Sequence, residues 1–215
     1  MIFQNAFTEL DSYLKQNLNT VTCDELFKLK KDFYGMFDSL SNNTANLTGF
    51  TELIIFRYLY HAFNMTGEVI NRTVHNGDTS ISIGKRFNGK NGKYQEPDIV
   101  VEQDGRIEYL FSIKNILSTV APTENEKRSK LVQQLIKTNG VCTVAIQDIF
   151  RIDNIRHDKH EDFKSITVVF SEIAPRHQRA VELIRGQFEW HRFLVLENNH
   201  KPFVKELEDI LNLKI

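Results

Sequence analysis

The sequence predicts an α/β (α+β) fold in which helices flank a central mixed β-sheet. Residues 2–64 carry apolar side chains at helical spacing, and residues 67–116 show strand-like alternation interrupted by Asn-Gly and Asp-Gly turn signals. After residue 123, predicted helices alternate with predicted strands, which indicates that the sheet contains both antiparallel and parallel pairs. A chain of 215 residues is long enough to bury a sizeable core as one domain over 1–215.

The first 48 residues are predicted to form an N-terminal helical extension, because apolar residues recur at helical spacing. A capping-box pattern from Thr22 to Glu25 marks the start of its second helix. The next helix is apolar nearly all round, which predicts that it is buried. The predicted elements are helices at 2–18, 22–39 and 51–64, with a loop at 41–49.

The core, residues 49–150, is predicted to centre on a hairpin around Asp104-Gly105. A loop with two Asn-Gly turn signals precedes the hairpin, and a helix that closes at Asn139-Gly140 follows it. The apolar segment VCTVAIQDI then predicts a buried strand. The predicted elements are strands at 67–75, 78–87, 96–103, 106–116 and 141–149, a loop at 84–95 and a helix at 123–138.

Residues 151–215 are predicted to complete the domain. Charged residues dominate the segment RIDNIRHDKHEDF, which indicates a loop, and the remaining segments alternate between apolar strand patterns and helical spacing. The predicted elements are a loop at 151–163, strands at 165–170 and 192–196, and helices at 174–189 and 201–212.

Composition is that of an ordinary globular protein, with 41% apolar and 26% charged residues. The formal net charge of −1 gives no global basic signature for nucleic acid, so any such binding would depend on a local patch. Two distant cysteines, Cys23 and Cys142, indicate a reducing compartment. With neither a signal-peptide pattern nor an apolar run long enough to span a bilayer, we expect a cytoplasmic protein with no membrane partner.

Asp98 and Lys114 are predicted to lie on one face of the hairpin, where each alternates with apolar neighbours. With a two-residue Asp104-Gly105 loop, polar residues of one strand would lie opposite apolar residues of the other strand. An odd loop that also includes Gln103 restores the match and is therefore predicted. As a bare pattern, the facing pair is also what a cross-strand ion pair would give.

The segment PDIVVEQDGRIEYLFSIK, residues 97–114, resembles the two-strand motif of the PD-(D/E)XK, or restriction-endonuclease-like, nucleases. The predicted order of helix, β hairpins, helix and strand over residues 50–150 is similar to the core of that family. The resemblance implies Mg²⁺-dependent hydrolysis of DNA, less often of RNA. The chain departs from the family motif at Ser112, where the motif has glutamate or aspartate.

The resemblance implies that Asp98 and one glutamate bind Mg²⁺ together with the Ile113 carbonyl oxygen. Lys114 would orient the attacking water and stabilise the charge that develops on the phosphorane-like transition state. Ser112 would hydrogen-bond a metal-bound water but supplies no charge.

Two glutamates are candidates for the carboxylate that is missing at position 112. A subset of restriction endonucleases resembles this chain in having Ser-x-Lys, with a glutamate supplied from the following helix. Glu126, twelve residues after Lys114, is the candidate by spacing, although it also completes a capping box with Thr123. Glu52, a lone carboxylate in the predicted buried helix, is the other candidate.

Basic residues before and after the hairpin are candidates for contacts with the phosphates of double-stranded DNA. Solvated loop and helix faces are the alternative interpretation of the same residues. The candidates are Lys85, Arg86, Lys90, Lys93, Lys127 and Arg128.

The leading hypothesis is a Mg²⁺-dependent DNA endonuclease, most specifically a type II restriction endonuclease. We expect a homodimer, because symmetric cutting of both strands needs two sites related by a two-fold axis. The alternatives are a catalytically degenerate nucleic-acid-binding module of the same fold, or a nuclease of repair, transposition or phage defence.

Overall fold

The computed structural model describes residues 2–40, 48–157 and 160–211 of the chain. The helices are α1 (Ile2–Gln16), α2 (Cys23–Leu40), α3 (Thr48–Ala62), α4 (Glu124–Arg128), α5 (Lys130–Asn139), α6 (Val144–Ile155), α7 (Pro175–Gln187) and α8 (Phe203–Leu211). The strands are β1 (Thr73–Asn76), β2 (Thr79–Ile83), β3 (Phe87–Asn88), β4 (Tyr94–Gln95), β5 (Ile99–Gln103), β6 (Arg106–Lys114), β7 (Lys164–Val169) and β8 (His191–Val195).

A six-stranded mixed sheet in the order β1-β2-β5-β6-β7-β8 forms the centre of the fold. Strands β1, β2, β5 and β6 pair antiparallel, whereas β6, β7 and β8 pair parallel. The predicted class, a mixed sheet flanked by helices, is therefore confirmed. The change of direction occurs at β6, which carries Lys114 at its carboxyl end.

Helices cover both faces of this sheet. On one face, α1, α2, α3 and α8 pack against apolar side chains of the central strands, including Ile99, Phe111 and Ile166. On the other face, α5, α6 and α7 pack against Val169 and Phe193. Helices α1 and α2 of the predicted N-terminal extension share this core with α3.

The N-terminal predictions agree with the structure. The Thr22 backbone N–H donates to Glu25 Oε2 at 2.7 Å and the Glu25 N–H donates to Thr22 Oγ1 at 3.2 Å, which confirms the capping box. The predicted loop at 41–49 lies largely outside the described residues, and α3 begins at Thr48. None of the described helices is both long and apolar enough to cross a membrane.

The predicted strand at 141–149 is wrong, because this segment enters helix α6. Thr143 caps the helix, its Oγ1 accepting a hydrogen bond from the Ile146 N–H at 3.4 Å. The helix extends into the predicted loop at 151–163, because buried apolar residues recur at helical spacing as far as Ile155. The strand that pairs in parallel with β6 is instead β7, which lies beyond residue 150.

The predicted helix at 123–138 is two helices that meet at Ser129. Ser129 is in an extended conformation, so it ends α4, and its side chain then caps α5 by accepting from the Val132 N–H. Gly140 closes α5 with φ of 93°, the left-handed conformation that its predicted role as a helix terminator requires. The segment therefore turns at Ser129 beside the end of the hairpin.

The two strands of the hairpin present the predicted faces, but the turn between them is not the predicted one. Its loop has two residues, Asp104 and Gly105, with φ of 52° and 71°, as a type I′ turn requires. The odd loop is therefore wrong, and the compensating extra residue is Glu108, an exposed β-bulge between Val101 and Glu102 of the opposite strand. The register becomes Ile99 opposite Phe111, and its continuation places Asp98 beside Ser112.

The strands before the hairpin are shorter than predicted. The predicted strand at 67–75 is reduced to β1, and the one at 78–87 to β2. The predicted loop at 84–95 contains the small antiparallel pair β3 and β4. This pair is fastened to α6, since the Lys90 N–H donates to the Asn154 carbonyl oxygen at 2.9 Å.

His191 is fully buried between two hydroxyl groups of the neighbouring strand. Its Nδ1 lies 2.8 Å from Ser165 Oγ and its Nε2 lies 3.3 Å from Thr167 Oγ1. Burial lowers the pKa of the imidazole from 6.5 to about 3. The folded protein thus keeps His191 neutral at pH values where the unfolded chain binds a proton.

Acidification is therefore expected to destabilise the protein as the pH falls from 6.5 towards 3. Between pH 7 and pH 5, His191 alone should cost about 2 kcal/mol of unfolding free energy. Urea unfolding at both pH values would measure this loss in the wild type and in His191→Gln, which has no imidazole at this site. The variant should lose less by that amount, and an equal loss in both proteins would contradict the prediction.

Candidate active site

Asp98 and Lys114 meet at one end of the central hairpin, as the sequence predicts. Asp98 immediately precedes β5 and Lys114 ends β6, and both side chains are 16% exposed. Lys114 Nζ lies 3.3 Å from Asp98 Oδ2. The same Asp98 oxygen accepts a hydrogen bond from the Ile113 N–H at 2.5 Å, which fixes the carboxylate against the end of β6.

Lys114 is held by several acceptors at once. Its Nζ donates to Ser112 Oγ at 2.8 Å and to the Ile113 carbonyl oxygen at 3.3 Å. It also lies 3.4 Å from Asp148 Oδ2. The ammonium group therefore lies between two carboxylates, Asp98 from the hairpin and Asp148 from α6.

Asp148 is the site residue that the sequence reasoning missed. Its side chain is 4% exposed, and its Oδ2 accepts a hydrogen bond from Ser112 Oγ at 2.9 Å. Ser112 is completely buried and its Oγ also lies 3.4 Å from Asp98 Oδ2. The carboxylate that the hairpin lacks at position 112 is thus matched by one that reaches the same place from helix α6.

Arg151, three residues after Asp148 on α6, adds a second cation to the cluster. Its Nη2 donates to Asp148 Oδ1 at 2.5 Å and to Ser112 Oγ at 3.0 Å, and its Nη1 donates to the Glu96 carbonyl oxygen at 3.3 Å. Burial alone would lower the pKa of Arg151, but the carboxylates of Asp148 and Asp98 outweigh it and raise the pKa. The guanidinium is therefore charged.

One spacing in the sequence could have revealed both residues. Asp148 and Arg151 are the two charged residues of the segment VAIQDIFRI, and their spacing of three positions puts them on one face of a helix. A strand would place them on opposite faces. Predicting a strand at 141–149 therefore concealed the pair.

Glu52 lies near the start of α3, a helix on the opposite face of the sheet. Its side chain is partly buried. Burial raises the pKa of Glu52, repulsion from Asp98 raises it further, and attraction from Lys114 and Arg151 opposes both. The charges of Asp98, Lys114 and Arg151 therefore act on the Glu52 carboxyl group, although Glu52 forms no ion pair with these residues.

Glu126 has a structural role at the start of α4. Its Oε2 accepts the Thr123 N–H at 2.7 Å, and the Glu126 N–H donates to Thr123 Oγ1, which completes the capping box. Gln147 Nε2 donates to the same Oε2 at 2.9 Å. Glu126 is buried in the wall of the cleft that contains Lys114, but it makes no ion pair with the cluster residues that the structure describes.

A cleft of about 400 Å³ opens above the cluster. Lys114, Asp148 and Arg151 form its floor. The small β3–β4 hairpin forms one wall, and the start of α4 forms the other. The wall residues are Asn91, Lys93, Tyr94, Gln95, Thr123, Asn125 and Glu126.

The six basic residues proposed for DNA binding divide into two groups. Four form ion pairs with carboxylates, namely Lys85 with Glu102, Arg86 with Glu96, Lys90 with Asp153, and Lys127 with Glu124. Lys93 and Arg128 are exposed and make no ion pair within residues 2–40, 48–157 and 160–211. Lys93 lines the cleft, and both residues line the adjoining surface hollow with Lys90.

The donor atoms of the cluster are of the kind that Mg²⁺ prefers. Asp98 and Asp148 offer carboxylate oxygens on either side of Lys114, and Mg²⁺ commonly binds one or two carboxylates while phosphate and water complete its shell. No group of three or more histidine, cysteine, aspartate or glutamate side chains is arranged to hold a metal among the described residues. The two aspartates are therefore the carboxylates of this cluster that could hold a metal.

Comparisons of the chain with protein-family models, with curated proteins and with solved structures give no match.

Proposed function

We propose that this protein is a Mg²⁺-dependent endonuclease that hydrolyses phosphodiester bonds of double-stranded DNA, with a restriction-endonuclease-like core. The observation that carries the proposal is the position of Lys114 Nζ, 3.3 Å from Asp98 and 3.4 Å from Asp148 at the floor of an open cleft. Two carboxylates and one ammonium group in contact supply the charges that metal-assisted phosphodiester hydrolysis needs.

Asp98 and Asp148 would hold Mg²⁺, which supplies Lewis acidity and a water of lowered pKa when bound. The carboxylate of Asp98 is already oriented for this role, because it accepts a hydrogen bond from the Ile113 N–H. The Ile113 carbonyl oxygen lies at the same strand end as a further oxygen donor. Glu126 lines the cleft, and Glu52 on α3 is the other carboxylate candidate.

Lys114 would orient the attacking water and stabilise negative charge on the phosphoryl oxygens in the transition state. Its ammonium group is partly buried, where a charge interacts more strongly than in bulk water. Ser112 positions this ammonium group by accepting its hydrogen bond while donating to Asp148. Ser112 thus connects the two charged partners without adding a charge.

Lys93 and Arg128 would contact DNA phosphates on either side of the cleft, since both are exposed beside it. The four candidates already paired with carboxylates would bind phosphate less readily. A homodimer acting as a type II restriction endonuclease is the specific form of the proposal, because a symmetric double-strand cut needs two such clefts. A nuclease of repair, transposition or phage defence would use the same chemistry.

Replacing Lys114 with alanine tests the proposal directly. Plasmid cleavage in the presence of Mg²⁺ should fall by about 10²- to 10³-fold, the cost of removing one preorganised charge-stabilising group. Lys205→Ala, which removes an exposed lysine paired with Glu208 on α8, is the matched control and should retain cleavage. Equal cleavage by Lys114→Ala and wild type would exclude this site as the source of activity.

A non-catalytic binding module is the second candidate function, and the ion pairing within the cluster favours it. Lys114 and Arg151 already neutralise Asp98 and Asp148 in the structure. Such a module would bind DNA without divalent cations. Titration with Mn²⁺ in the presence of DNA separates the two candidates, since only the nuclease should bind the metal.

A further inference from the structure

Arg151 is hydrogen-bonded to Asp148, a carboxylate that the proposed function assigns to the metal. Asp148 Oδ1 accepts from Arg151 Nη2 at 2.5 Å, while Asp148 Oδ2 receives Ser112 Oγ at 2.9 Å and faces Lys114. Both oxygens of Asp148 are therefore engaged by groups of the protein itself. Each oxygen keeps a further lone pair, but a divalent cation bound there would lie beside the Arg151 guanidinium or the Lys114 ammonium group and would be repelled by it.

Arg151 is the more exposed of the two cations beside Asp148, at 26% against 16% for Lys114. Lys114 and Ser112 are residues of the central strand β6, and Ser112 is completely buried. The Arg151 side chain reaches the site from α6, is 26% exposed and lines the cleft. Its long, flexible side chain can rotate into the cleft without any change in the sheet.

Leaving Asp148 would cost Arg151 an ion pair unless another anion replaced it. The cleft above it is where the proposed function places a DNA phosphate, and a guanidinium binds phosphate through the same paired N–H geometry that it uses for carboxylate. Exchange of Asp148 for phosphate therefore becomes favourable when DNA is bound.

We infer that Arg151 is an internal counter-cation that blocks the metal position on Asp148 until bound DNA offers its guanidinium a phosphate. This inference rests on the proposed function and extends it to regulation of the same site. Metal binding and DNA binding are then coupled, and linkage requires each to strengthen the other by the same factor. In the absence of DNA, Arg151 therefore keeps the affinity of the site for the metal low.

The test is the affinity of the full chain for Mn²⁺, which shares the oxygen ligands of Mg²⁺. Free Mn²⁺ is measured by electron paramagnetic resonance, with and without a phosphorothioate DNA duplex that resists cleavage. In wild type, the duplex should tighten Mn²⁺ binding by about fivefold or more, the lower end of typical coupling between sites. In Arg151→Gln, Mn²⁺ binding without DNA should already be tighter than in wild type, and the duplex should tighten it by a smaller factor than in wild type.

Arg156→Gln is the matched control, because Arg156 follows the end of the same helix and stacks on Phe163 and Trp190 instead of contacting Asp148. It should behave as wild type. Thermal melting establishes that each variant is folded, and Arg151→Met provides the same measurement if the glutamine variant melts early.

The outcomes separate this inference from the proposed function. If wild type binds Mn²⁺ and cleaves DNA but Arg151→Gln binds Mn²⁺ no more tightly without DNA, the blocking role of Arg151 is overturned and the nuclease assignment stands. If neither protein binds Mn²⁺ with or without the duplex, the nuclease assignment is overturned and the inference falls with it.

Discussion

Replacing Asp148 with asparagine should abolish Mg²⁺-dependent DNA cleavage while the protein remains folded. The change keeps the size of the side chain and its contact with Ser112 but removes the negative charge beside Lys114. We expect a loss of more than about 100-fold, because even groups that only support metal ligands cost 10- to 100-fold. Plasmid cleavage measures the rate, and circular dichroism with thermal melting establishes the fold.

Two other variants make this result specific. Glu126→Gln removes the competing candidate, yet the amide oxygen of glutamine can still accept the capping hydrogen bond from the Thr123 N–H, so cleavage should persist. Asp24→Asn removes another buried aspartate in an ion pair, with Lys28 on α2, and should also retain cleavage. Loss of cleavage in Glu126→Gln with retention in Asp148→Asn would assign the missing carboxylate to α4 instead.

Replacing Asp98 with asparagine should eliminate cleavage to a similar extent and weaken Mn²⁺ binding in the presence of DNA. The amide oxygen can still accept the Ile113 N–H, so the hairpin end is retained while the charge is lost. The loss should again exceed about 100-fold. Cleavage kinetics and Mn²⁺ titration on the same preparation measure the two effects.

Asp104→Asn, the same substitution in the exposed turn of the same hairpin, is the control for Asp98→Asn. Asparagine tolerates the positive φ of that position, so folding and cleavage should be unchanged. Undiminished cleavage in Asp98→Asn would mean that Asp98 and Lys114 form only a cross-strand ion pair.

The hairpin half of the site was predictable from sequence, because face parity is a local property of two adjacent strands. Asp98, Ser112 and Lys114 share a face whatever the rest of the chain does, provided that the strands are in register. The Asp148 half was not predictable in this way. It depends on how α6 packs across the sheet, a contact between residues 36 positions apart at Ser112 and Asp148.

Most of the fold was predictable where the apolar spacing had a clear period, as in α1, α2, α7 and α8. The prediction for segment 141–149 was wrong because a short run with apolar residues on nearly every side has no visible period. The prediction of the turn was wrong for another reason. Matching the polar and apolar faces of the two strands shows that one extra residue is needed, but it does not say whether that residue lies in the loop or in a bulge.

The bulge at Glu108 gives the hairpin one residue that no residue of the opposite strand faces. Deleting Glu108 would remove the bulge and leave regular pairing on both sides of it, with Asp98 still beside Ser112. The hairpin can therefore lose this one residue without turning Lys114 away from Asp98.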